Sequence, residues 1–158
     1  MNYPTQKTYT LKEAQAKLES YCAYQERCHK EVEEKLKSMH MIPAAIDQII
    51  GKLITDNYLN ETRFAQSFAR GKFRIKKWGK VRILNQLKFR RISAWNIKKA
   101  MQEIDPEEYL DTFDFLFEKF WKEYEYLGMI KCQKKVHDRL QYRGWEKELI
   151  YQAINNKR

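Results

Sequence analysis

Apolar residues fall into one spacing three times along this chain. Val32, Leu36, Ile46 and Ile50 stand 4, 10 and 4 residues apart; Ile83, Leu87, Ile97 and Met101 repeat the spacing 51 residues later, and Val136, Leu140, Ile150 and Ile154 repeat it after a further 53. A step of four places two side chains on one helical face, and the longer step spans the turn between two short helices. The turns carry matching chemistry: Ser38-Met39-His40-Met41-Ile42-Pro43, then Phe89-Arg90-Arg91-Ile92-Ser93, then Tyr142-Arg143-Gly144-Trp145. Met41, Ile92 and Trp145 align as the apolar residue that staples the following helix. Pro43 suits a first helical turn, Ser93 can cap a helix, and Gly144 suits a left-handed helix stop.

A stretch long enough for one further helix precedes each pair, with candidates running roughly from Thr10 to Lys30, Asn60 to Lys77 and Pro106 to Tyr126. The unit is therefore three helices, repeated three times. The pattern predicts an all-α fold: a tandem array of three-helix repeats forming an elongated, curved body whose concave side offers a long contact surface. The divisions are 1–10 as a flexible N-terminus, 11–55, 56–105 and 106–158.

Composition agrees with helices on short turns, since 158 residues with 43% hydrophobic content include only 5 Gly and 3 Pro. The three cysteines, Cys22, Cys28 and Cys132, are odd in number and lack metal-ligand spacing, so they suit packing in a reducing compartment. The greasiest run, Phe113 to Trp121, is broken by Asp114, Glu118 and Lys119, which argues for a soluble, cytoplasmic protein with no membrane contact.

Charge changes the picture. From Thr62 to Gln102, 41 residues carry 13 Lys and Arg and no Asp or Glu; the whole chain is +10, so the remaining 117 residues sum to −3. Clustered cations of one sign mark a surface for a polyanion, through release of counterions from phosphates or contact with an acidic protein groove. Most charge runs are solvated faces, but those normally mix both signs. On the helix from Asn60, Phe64, Phe68 and Ile75 read as a core stripe, and Arg63, Arg70, Arg74 and Lys77 as a second, cationic stripe. With Lys72, Lys76, Lys80, Arg82, Lys88, Arg90 and Arg91 they form the candidate binding set. Lys98 and Lys99 add charge on the last helix of the same repeat.

The long helix of the third repeat is biased the other way, with nine Asp or Glu against two Lys from Glu103 through Glu125. Phe113, Phe117, Phe120, Trp121 and Tyr124 form its core stripe. Its acids exclude it from a nucleic-acid face but could meet a basic patch on a partner or a neighbouring repeat. No glycine-rich phosphate loop, His-rich metal spacing or catalytic triad occurs, and His29, His40 and His137 are scattered. An enzyme, a cofactor and a bound metal are not expected.

The segment TDNYLNETRFAQSFARGKFRIKKWGKVRILNQLKFRRIS resembles the signature region of the RecX family. The resemblance rests on Asn57-Tyr58-Leu59, the Phe64-Ala65 pair, the basic run to Lys77, Gly79 before a Lys-x-Arg-Ile helix, and Leu87 four residues ahead of a basic-apolar turn. Leu140-Gln141-Tyr142-Arg143-Gly144-Trp145 is similar to the family's Leu-x-x-basic-Gly-apolar turn. The likeness covers about residues 11 to 155. The family's acidic pair is Asn60-Glu61 here, and its turn glycine is replaced by His40 and Arg91 in the first two copies.

The resemblance implies a non-enzymatic modulator that lodges in the groove of the RecA nucleoprotein filament, damping recombinase, ATPase and coprotease activities in DNA repair and the SOS response. It also implies a monomer with weak, non-specific affinity for single- and double-stranded DNA. Two rivals stand beside it: an autonomous helix-turn-helix DNA-binding regulator using the pair around Leu87 to Lys98, and a helical-repeat scaffold for a protein partner.

Overall fold

The computed structural model describes residues 6–157, which are helical wherever they are regular. Nine α-helices among the described residues fall into three sets. The first is α1 (Leu11–Tyr24), α2 (His29–Ser38) and α3 (Pro43–Thr55); the middle is α4 (Glu61–Arg74), α5 (Lys80–Phe89) and α6 (Ala94–Met101). The last is α7 (Pro106–Tyr124), α8 (Met129–Tyr142) and α9 (Lys147–Asn156), with a 3-10 turn at Glu125–Leu127 between α7 and α8. Of the ten N-terminal residues set apart in the sequence, 1–5 lie outside the described residues. Thr10 caps α1 in a capping box with Glu13, and Tyr9 packs against the first core.

The same turn is built three times. Each second helix of a set ends in a Schellman motif: Met41 N–H donates to Leu36 C=O at 3.2 Å and His40 N–H to Lys37 C=O at 3.0 Å. Ile92 to Leu87 and Arg91 to Lys88 repeat this at 3.1 and 3.0 Å, as do Trp145 to Leu140 and Gly144 to Gln141 at 3.1 and 3.0 Å. The residue past each helix end is left-handed in all three copies, with φ of 60° at His40, 59° at Arg91 and 93° at Gly144. The turn geometry is therefore kept where glycine is absent. Met41, Ile92 and Trp145 each precede the next helix and join the same core as Ile46, Ile97 and Ile150, four positions into it.

Three expectations need correction. The first helix stops at Tyr24 rather than running to Lys30, because Gln25 turns extended and Arg27 Nε–H donates to the Tyr21 carbonyl at 3.1 Å. Helix α4 stops at Arg74, and Lys77 lies beyond it in left-handed backbone (φ 56°), so it does not continue the stripe of Arg63, Arg70 and Arg74. Ile75, taken for core, is 78% exposed; Phe73 is buried in its place. Asn60 caps α4 by accepting from Arg63 N–H at 2.9 Å, a task that suits Asn and Asp alike.

The apolar interior divides unequally. The first set closes a core of its own around Leu18, Val32, Leu36, Ile49 and Leu53, whereas the middle and last sets share one, running from Phe64 and Phe73 through Ile83 and Leu87 to Phe113, Phe120, Trp145 and Ile150. Each such fully buried side chain contributes roughly 1.5–3 kcal/mol. The cysteines are buried free thiols, and Cys28, although from the first set, lies in the shared core.

Main chain meets main chain between the middle and last sets. Gly79 N–H donates to Arg143 C=O at 2.9 Å and Val81 N–H to Gly144 C=O at 3.0 Å. A Cβ on Gly79 would stand 2.3 Å from the Gly144 oxygen, and one on Gly144 would stand 2.2 Å from Arg82 Cβ, so both glycines are required by contact. Beneath them Tyr109 accepts from Lys80 N–H at 2.9 Å, donates its hydroxyl proton to the Glu146 carboxylate, and packs its ring 4.5 Å from that of Trp145. Burial and the Glu146 carboxylate hold the Tyr109 phenol above its usual range.

Candidate nucleic-acid interface

The eleven candidate cations separate into two groups. Five arginines meet carboxylates from elsewhere in the chain: Arg63 with Glu26 at 2.6 Å, Arg70 with Glu103 at 3.4 Å, Arg74 with Glu108 at 3.6 Å, Arg90 with Glu31 at 3.6 Å and Arg91 with Glu33 at 4.0 Å. The acid-free window thus borrows its counter-charges through space. Glu103 closes the basic repeat itself, and Glu108 belongs to the acidic α7, so that helix does meet the basic repeat beside it. Arg63 is tied down further, donating to Asn57 C=O at 3.0 Å. Lys72, Lys76, Lys77, Lys80, Arg82 and Lys88 make no ion pair among the described residues, and they are the cations left for a partner.

Cations and rings alternate across this surface. The Arg90 guanidinium lies 4.8 Å from the Phe68 ring centre, and Lys72 Nζ lies 5.4 Å from Phe68 and 4.9 Å from Trp78. Next, Arg82 lies 4.1 Å from Trp78 and 4.9 Å from Tyr142. Each cation rests on a ring face, which fixes its position without removing its charge. Lys72 is pulled below the usual lysine range by burial and then by Lys76, Arg90 and Arg82, so its neighbours crowd it with like charge.

This series leads into a cleft of about 500 Å3 between the middle and last sets, lined by Lys76, Lys77, Arg82, Lys119, Arg139 and Arg143 together with Ile75, Trp78, Phe115, Leu116 and Tyr142. No carboxylate lines it. Arg143 reaches across to donate to Lys76 C=O at 2.9 Å, and Arg82 donates to Tyr142 C=O at 3.3 Å. Burial, then Arg139 and Arg82, lower the Arg143 guanidinium from its ordinary value. Among the described residues Arg139 alone of the cleft's cations is paired, to Glu123 at 2.8 Å. Concentrated positive charge next to exposed rings can hold phosphate and stack on planar groups.

The candidate set read from the sequence lacks Arg143, Arg139, Lys119 and Tyr142. The repeat itself held a signal for two of them, since alignment of the turns puts Arg143 where Arg90 stands in the middle set, and Tyr142 where Phe89 stands. Among the described residues no group of three or more His, Cys, Asp or Glu could hold a metal ion, and no helix is long and apolar enough to cross a membrane.

Residues 60–101, which contain α4, α5 and α6, match the model of the RecX second three-helix domain. Over 131 residues the chain is 28% identical to the regulatory protein RecX of Bacillus cytotoxicus, covering 83% of this chain and 48% of that protein. It is 27% identical over the same length to that of Bacillus mycoides, with the same coverage. The chain spans about half the length of these curated relatives. A crystal structure of regulatory protein RecX superposes with a TM-score of 0.81 at 21% identity, over 92% of this chain and 73% of that one. The crystal structure of RecX from Lactobacillus salivarius gives 0.77 at 25% identity, over 92% and 95%. With its three sets of three helices, its matched middle set and its partial agreement in sequence with those regulatory proteins, the chain is similar in fold and sequence to RecX proteins.

Proposed function

We propose that this chain is a RecA modulator that seats in the groove of the RecA–DNA filament and damps ATP turnover, strand exchange and coprotease activity in DNA repair and the SOS response. It acts in the cytoplasm by binding rather than by catalysis, as a monomer with weak, non-specific affinity for DNA. The observation that carries this reading is the set of six unpaired cations on the middle of three linked helical units. A repeat array can touch several protomers at once, and each engaged unit raises the effective concentration of the next. A bridge that fits one protomer spacing better than another shifts the filament toward it; about 1.4 kcal/mol of difference moves that equilibrium tenfold. Lys72, Lys76, Lys77, Lys80, Arg82 and Lys88 meet filament-bound DNA or acidic groove surfaces, whereas Arg63, Arg74, Arg90 and Arg91 serve first to hold the units together and Arg70 pairs within its own unit.

The test is the rate of ATP hydrolysis by RecA on single-stranded DNA with this protein titrated up to equimolar. Inhibition well below equimolar is expected, and Lys72→Glu, Lys76→Glu and Lys88→Glu combined should remove it with the helical circular dichroism unchanged. Full inhibition by the triple variant would refute the role of these cations. A wild-type protein that leaves hydrolysis unaltered would refute the reading itself.

A further inference from the structure

The cleft between the middle and last sets combines two properties that a duplex backbone does not use together. It gathers cations with no acid in its lining, and it leaves apolar and aromatic surface in water beside them: Tyr142 is 76% and Phe115 59% exposed. Phosphates alone would satisfy the first property and leave the second idle. Of the acids of α7, Glu123 reaches Arg139 without lining the cleft, and Asp114 and Glu118 line a separate depression beside Lys157. The volume of about 500 Å3 falls within the roughly 300–1,000 Å3 usual for sites that take small molecules. The alternating cations and rings from Phe68 through Trp78 to Tyr142 lead into it, as a track for a chain that alternates phosphate and base.

We propose that this cleft binds single-stranded nucleic acid, with an unstacked base against Tyr142 and the flanking phosphates on Lys76, Arg82 and Arg143. The site deepens the proposed function and rests on its nucleic-acid contact. It assigns that contact to the joint with the last set and to a strand whose bases are free. In a duplex the bases are already stacked on each other and their ring faces are closed to protein, so the site discriminates by strand state without reading sequence. The cations arrive prepared: Arg82 is held by Trp78, Tyr142 and the Tyr142 carbonyl, and Arg143 by the Lys76 carbonyl, so little side-chain freedom is lost on binding.

The experiment is fluorescence anisotropy of the full chain with three labelled probes of equal length, namely oligo-dT, an abasic strand and a duplex, at two salt concentrations. Oligo-dT should bind roughly tenfold tighter than the abasic strand, the scale of one base–aromatic stack. Tyr142→Ala should remove that advantage by weakening oligo-dT far more than the abasic strand, because Trp78 still holds Arg82, and Tyr142→Phe should restore it. Arg143→Gln should weaken both single strands and lower the salt slope by about one phosphate contact. Equal affinity for oligo-dT and the abasic strand, tighter binding of the duplex, or no effect of Tyr142→Ala would each overturn the proposal. A poly-glutamate peptide that competes with oligo-dT as well as unlabelled oligo-dT does would assign the cleft to an acidic protein segment instead. Tyr142→Ala that retains base preference and RecA inhibition sinks this inference and spares the filament reading. A wild type that prefers oligo-dT but leaves RecA hydrolysis unaltered does the reverse.

Discussion

Gly144→Ala tests the joint between the middle and last sets at its tightest point. Two effects add. Left-handed backbone costs a residue with a side chain roughly 1–2 kcal/mol. Alanine returns about 0.4–1 kcal/mol of that by restricting the unfolded chain. The net backbone cost is therefore about 1 kcal/mol. The second effect is contact: the new Cβ would lie 2.2 Å from Arg82 Cβ and 2.4 Å from Arg82 N, atoms fixed on α5 that cannot swing aside. The set must move off, stretching the Gly79-to-Arg143 and Val81-to-Gly144 main-chain hydrogen bonds, at about 1 kcal/mol each. The expected total is about 3 kcal/mol, read as a lower urea midpoint by far-ultraviolet circular dichroism. Arg91→Gly isolates the first effect, because Arg91 holds the same left-handed position with only an exposed, 4.0 Å pairing to Glu33 to lose. It should stabilise by about 0.5–1 kcal/mol. A loss of 1 kcal/mol or less at Gly144, matching the gain at Arg91 in size, would refute closure of this joint by main-chain contact.

Tyr109→Phe keeps the ring on Trp145 but strands Lys80 N–H and Glu146, so stability should fall by about 1–3 kcal/mol in the same urea assay. The Cys28 thiol is pushed up to about 11 by burial, from an ordinary value near 9, so its contribution is fully present below pH 9 and disappears as pH rises through 11. Urea midpoints at pH 8.5 and 10.5 should drop less in Cys28→Ala than in wild type, and an equal drop would show that this thiol stays unlinked to folding.

The triple spacing from Val32 to Ile154 was legible because it rests on local chemistry: helical faces, a cap, and a turn that closes the same way whether its left-handed residue is His40, Arg91 or Gly144. The break between Tyr24 and His29 carries neither glycine nor proline, and a hydrogen bond from Arg27 makes it instead. Extending the α4 stripe to Ile75 and Lys77 failed for a related reason, since left-handed backbone at a lysine leaves no mark in the sequence. The ion pairs were invisible because Arg63 and Glu26, or Arg90 and Glu31, are far apart along the chain, and a window free of acids says nothing about acids folded against it. The cleft drew half its cations from the last set, where they stand among acids and do not alter the local charge count.

The three sets are fastened by different means. The last two are joined backbone to backbone over a common core, with the exposed Arg74–Glu108 pair beside that seam. The first is fastened through Cys28, Lys30 over the Phe89 ring at 3.4 Å, and arginine–carboxylate pairs at Arg63, Arg90 and Arg91. Salt weakens partly exposed pairs of this kind. The joint to the first set is therefore the more salt-sensitive of the two. An anionic partner seated beside Lys72 would compete with Glu26 and Glu31 for the neighbouring guanidinium groups, so gripping such a partner would loosen the joint to the first set.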